Sequence, residues 1–134
     1  MAHGYFAGVG PFFIYFIGGV TFLALFSAIY WKLTAHDELT LIRAGNMSAV
    51  VAFLGALIGY AFPLAKSIAQ STTIPDFAVW ATIALAVQIA AYYAARLGLR
   101  DVSTRITAGD LSAGLWLGGV AVVFGMLNSA SMSM

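Results

Sequence analysis

The amino-acid sequence predicts an all-α integral membrane protein, a four-helix bundle built from two parallel two-helix repeats. Three observations predict it. Of 134 residues, 62% are hydrophobic and 8% charged, against about 25% charged in soluble domains. A fold this small cannot hide so much apolar surface from water, so its solvent is lipid. The chain also divides into four apolar runs, each long enough to cross a bilayer. Finally, it matches itself. Shifting the numbering by 64 lays Asp37 on Asp101, Ala44-Gly45-Asn46 on Ala108-Gly109-Asp110, Ser48-Ala49 on Ser112-Ala113, and Gly55 on Gly119. Over 37–67, nine of thirty-one positions are identical. A self-match at one fixed offset marks a duplicated supersecondary unit, here 1–67 and 68–134.

The first span covers about 11–31. No charge interrupts Pro11 to Trp31. Eleven Leu, Ile, Phe or Val residues between 12 and 31 favour insertion by about 3–7 kcal/mol. The run has no Lys or Arg before it and exceeds the core of a signal peptide, so it reads as a membrane helix. Thr21 is polar within it, and Tyr30-Trp31-Lys32 has the composition of an interfacial anchor. The connection 32–45 mixes Leu39, Leu41 and Ile42 with Asp37, Glu38 and Arg43, as a segment lying on the membrane surface does. Its His36-Asp37-Glu38 invites a metal or acid–base reading. Three consecutive residues cannot all face one ion from a helix, so solvated contacts with headgroups are expected.

Asn46 opens the second span, about 46–67, as an N-cap whose side chain accepts from first-turn amides. Asp110 is expected to do the same for the fourth span, about 110–131, where a carboxylate also meets the positive end of the helix dipole. Gly55 and Gly59, and again Gly114 and Gly118, stand four apart and let helix backbones approach. Tyr60 is a further polar group in the second span, and Pro63 should bend or terminate that helix. Pro75-Asp76 leads into the third span, about 77–97. Gln88 sits near its middle and needs a partner on another helix. Asn128 falls near the end of the fourth span, at or near the interface.

Charge sets the expected topology. The two long connections carry Lys32, Arg43, Arg96, Arg100 and Arg105; the opposite side has Lys66. The excess places both long connections in the cytoplasm and both termini in the periplasm.

The same residues bound the function. The chain has no cysteine and two histidines far apart, so no metal site, thiol chemistry or cofactor is expected. No basic block argues for nucleic acid, and no acid–base pair for a catalytic residue. The expected partners are the lipid bilayer and either a second copy or another membrane protein. Two functions compete: a non-enzymatic accessory or self-associating subunit of an envelope or membrane complex, and a small oligomeric channel or transporter for ions or small solutes. Gln88 divides them. Bonded wholly within the bundle it favours the first; lining a wet oligomer axis it favours the second.

The run Thr34-Ala35-His36-Asp37-Glu38-Leu39, then Leu41-Ile42-Arg43-Ala44-Gly45-Asn46 and 55–64, resembles the YjfL-like inner-membrane proteins, the family of domain of unknown function 350. Residues 105–110 and 125–130 agree. The resemblance spans nearly the whole chain. It departs where Ala35 replaces a usual proline and Ser131 stands where members often carry cysteine. It implies a bacterial inner-membrane protein with four spans and a duplicated two-span unit, and brings no catalytic residues to carry over.

Overall fold

A computed structural model describes residues 7–132. They form six helices: α1 (Val9–Leu33), α2 (Glu38–Arg43), α3 (Met47–Gln70), α4 (Ile74–Gly98), α5 (Val102–Thr107) and α6 (Leu111–Ser131). The helices α1, α3, α4 and α6 are long and apolar enough to cross a membrane. At about 1.5 Å per residue the shortest, of 21 residues, still matches a hydrocarbon core of about 30 Å.

The helix ends follow local chemistry. Asn46 Oδ1 accepts from Ala49 N at 3.0 Å and starts α3. Thr73 Oγ1 accepts from Asp76 N at 3.2 Å and starts α4, with Pro75 in its first turn. Pro63 does not terminate α3, which runs on to Gln70. A proline inside a helix removes the amide that would have reached the carbonyl four residues back, here that of Gly59. That carbonyl lies against Gly125 of α6, where the absence of a Cβ permits the approach.

The connectors α2 and α5 are both six residues long and occupy positions 64 apart. Each ends on an alanine, then a glycine with φ near +84° (Gly45, Gly109), a conformation that costs glycine little. The following amide then reaches back to close the helix: Asn46 N to Leu41 O and Asp110 N to Arg105 O, both 2.9 Å. Both connectors sit at one end of the bundle, where Asn46 Nδ2 donates to Ile106 O at 2.8 Å and Ser48 Oγ to Asp110 O at 2.6 Å.

The tightest packing joins α3 to α6. The inward stripe of α3 is small and regularly spaced: Ser48, Ala49, Ala52, Gly55, Ala56, Gly59, then Tyr60 and Pro63. Facing it are Ala113, Gly114, Leu117, Gly118 and Gly125. A Cβ at Gly55 would fall 2.6 Å from the Gly118 carbonyl oxygen; one at Gly114 would fall 2.7 Å from Ser48 Oγ. One at Gly118 would meet Val51 O at 2.7 Å, and one at Gly59 the Ala121 carbonyl carbon at 2.7 Å. All four glycines thus pack within the chain. The self-match lays Gly55 on Gly119, yet a Cβ at Gly119 meets nothing within 4 Å. The neighbouring Gly118 takes the seam instead.

The first helix is peripheral. It buries Gly19, Phe26 and Tyr30, the inner edge of a stripe with Tyr15 and Phe22 at helical spacing. Phe22 meets Phe77 edge-on at 5.5 Å, Phe26 packs on Tyr60 at 4.8 Å, and Tyr30 meets Tyr92 at 5.7 Å. Tyr30 is therefore a core residue at 3% exposure, while Trp31 beside it is 39% exposed. The aromatic anchor expected at 30–32 is reduced to Trp31 and Lys32.

Candidate functional site

Polar groups gather in the interior at two levels. The first lies at the connector end. His36 is not on a helix: it precedes α2 in the link from α1, and Asp37 is the N-cap of α2. Asp37 stays exposed, its Oδ2 accepting from Thr40 Oγ1 at 2.9 Å. His36 and Glu38, one residue to each side, turn inward. Their side chains are 1% exposed, with Nε2 and Oε1 2.7 Å apart. The expected solvated cluster is thus a buried ion pair flanking an exposed cap. The helical-face rule does not apply, because the three residues straddle a helix start.

The pair also ties the two connectors together: His36 Nδ1 lies 3.0 Å from Ser103 Oγ of α5. Tyr30 and Tyr92 meet at 5.7 Å on the same side of the bundle, and the Tyr92 hydroxyl donates to Leu33 O at 3.5 Å. Despite the short His36–Glu38 separation, His36 Nε2, both Glu38 oxygens and the Tyr30 hydroxyl have no aligned hydrogen-bond partner. A buried ionisable group is costly unless paired and fully bonded, and buried polar groups are normally satisfied. These four atoms are therefore the least settled of the interior.

The second level is deeper. Gln88 lies on the inward stripe of α4, with Ala81, Ala84, Ala91 and Ala95 above and below it. Those alanines bring α4 close enough for Gln88 Nε2 to donate to Ala121 O of α6 at 3.2 Å. Asn128 Nδ2 donates to Gln88 Oε1 at 3.3 Å and to Ala84 O at 3.1 Å. Asn128 is 8% exposed, turned into the bundle rather than left at the interface. Tyr60 donates separately to Ala81 O at 2.9 Å. Thr21 joins neither group; it is exposed and donates to Ile17 O within its own helix at 2.7 Å. Between the two levels is a void of about 10 Å³ lined by Phe26, Tyr30, Ala56, Gln88, Tyr92, Leu117 and Ala121, at the lower limit for one water.

Asp110 marks the exposed rim. Its Oδ1 accepts from Ser112 Oγ at 2.6 Å and Ser112 N at 3.1 Å, and its Oδ2 from Arg105 Nε at 2.7 Å. The Ser112 hydroxyl, then the Arg105 guanidinium, hold the Asp110 carboxyl below its ordinary value. The carboxylate in turn raises Arg105.

Among the described residues no three His, Cys, Asp or Glu side chains converge as a metal cluster would need. What the interior offers chemically is a His36–Glu38 contact, closed to solvent, above two coupled amides. Sequence reasoning misses the inward roles of Tyr30, Tyr92 and Ser103 and the burial of His36 and Glu38. One signal is present: the residue 64 positions after Glu38 is Val102, which is fully buried. An apolar residue at the matching place marks position 38 as interior.

Comparison with known proteins finds relatives named as inner membrane proteins. The chain is 36% identical over 122 residues to the UPF0719 inner membrane protein YjfL of Escherichia coli K12, covering 91% of this chain and 92% of that one. The YjfL protein of E. coli O157:H7 matches equally. No solved structure matches the chain. The model of the Domain of Unknown Function (DUF350) family matches residues 4–132, and with nearly the whole chain covered this protein belongs to the DUF350 family.

Proposed function

We propose that the protein is a non-enzymatic component of the bacterial inner membrane, working as an accessory or self-associating subunit of a membrane complex. The carrying observation is Gln88. Both ends of its amide are bonded inside the bundle, to Ala121 O and Asn128, so it is not presented to an outer axis. The neighbouring void of about 10 Å³ gives no file of sites for an ion within one chain. His36 and Glu38 are closed off, which supports a non-catalytic reading. The inner-membrane location follows the named relatives.

Self-association has to use a face other than the glycine stripes, since those are occupied within the chain. The outer side of α1, with Phe12, Phe16 and Ile17 more than half exposed, belongs to the least buried of the four long helices. The recurrence of connector, glycine and cap 64 residues apart supports the duplication. The charge excess supports an orientation with the α2–α5 end in the cytoplasm and both termini in the periplasm. A reporter fused after Met134 that works only in the cytoplasm would overturn that orientation.

Gln88→Leu tests the function. The variant leaves Asn128 bonded to Ala84 O, so the expected stability change is small, about 0.6 kcal/mol and at most about 1.7. Wild type and variant, reconstituted in vesicles, are expected to pass no ions or protons under an imposed gradient. Wild-type protein is expected to run as an oligomer or with a partner after gentle extraction. Flux in wild type that vanishes in Gln88→Leu would replace this reading with the channel.

A further inference from the structure

The connector end of α4 carries a groove of about 380 Å³ lined by Tyr93, Arg96, Leu97 and Arg100. Two properties set it apart from the other lipid-facing hollows. Both arginines are exposed, and neither has an acidic partner: the ion pairs of the described residues are His36–Glu38 and Arg105–Asp110. Between them Leu97 is 73% exposed. Tyr93, about one helical turn from Arg96 toward the membrane interior, is 44% exposed. The groove therefore has a cationic rim with an exposed leucine between its arginines, and an aromatic residue on the membrane side, the composition of an interfacial site for an anionic lipid headgroup.

Its floor is held. Trp116 Nε1 donates to Ala95 O at 2.8 Å, and the indole lies so close to Gly98 that a Cβ there would fall 2.8 Å from Cζ2. The end of α4 is thus pinned to α6. Arg96 stands in the last turn of α4 and Arg100 in the turn just past its end, and both line the groove; two guanidiniums that share a groove can each grip a phosphate oxygen with paired N–H donors.

We propose that this groove is a binding site for one anionic phospholipid, its phosphate held by Arg96 and Arg100 and an acyl chain lying along Tyr93 and Leu97. The proposal is independent of the subunit reading above. The test is lipid retention, measured by native mass spectrometry of the whole protein released from nanodiscs of phosphatidylglycerol or phosphatidylcholine. Wild type is expected to keep one phosphatidylglycerol and to lose phosphatidylcholine. With each interfacial arginine worth about 1 kcal/mol, Arg96→Gln/Arg100→Gln should weaken retention about 30-fold. These sites are exposed, so helix content should be unchanged. Lys32→Gln/Arg43→Gln removes equal charge from the same end and should leave retention intact. Equal retention of both lipids would overturn the site, as would equal weakening by the two double variants. Displacement of the lipid by inorganic phosphate would overturn the lipid assignment.

Discussion

Gly55→Ala is expected to destabilise the protein by about 1–3 kcal/mol or more, the range for forcing one extra methyl into a filled interior. The added carbon would be directed at the Gly118 backbone, 2.6 Å from its carbonyl oxygen. Neither helix can yield there by rotating a side chain. The α3–α6 pair has to separate, and Gly59, Gly114 and Gly125 lose their close approach with it. Gly119→Ala supplies the contrast. It adds the same methyl to α6 one residue from Gly118, in open space, and should be neutral or gain up to about 1 kcal/mol from helix propensity. Unfolding in mixed micelles compares the two. Equal effects would show that the seam does not depend on backbone proximity.

A second large effect is expected at the buried ion pair. His36→Leu leaves the Glu38 carboxylate without its partner in a site 1% exposed. Breaking a buried pair from one side costs about 3–5 kcal/mol, whereas replacing both members with apolar groups is often neutral or stabilising by about 1–4 kcal/mol. His36→Leu/Glu38→Leu should therefore recover most or all of the loss. Val102, 64 residues after Glu38, is itself apolar and fully buried. The same unfolding assay reads both variants. A double variant as unstable as the single one would mean that the loss comes from packing around residue 36 and not from the stranded charge. A recovered double variant would also separate the pair's cost to the fold from whatever it does for function.

Much of the fold is legible in the sequence because lipid imposes it. Long charge-free runs must be helices, since a membrane supplies no water to bond a free backbone, and Asn46 and Asp110 mark helix starts by their chemistry alone. Burial is harder to read. Asn128 and Thr21 look alike in sequence, each a polar residue in an apolar run, but one reaches Gln88 and the other bonds to its own helix. That difference depends on which faces meet. Gly118 and Gly119 pose the same problem: spacing identifies a stripe of small residues, and only packing selects the member that touches α3. For His36 and Glu38 a rule for helices fails, because these residues flank a helix start. The buried valine at 102 holds the corrective information, because it stands 64 residues after Glu38, at the offset where the sequence matches itself.

The α3–α6 seam also has a bearing on time. A chain is made from its N-terminus at about 5–20 residues per second, so α3 enters the membrane well before its main partner exists. Ser48 waits for Asp110, Gly55 for Gly118 and Gly59 for Gly125, each more than sixty positions later. In that interval the small-residue face of α3 has only lipid or the neighbouring α1 and α4 to meet. Of the six helices, the one made last, α6, is the one that completes the seam.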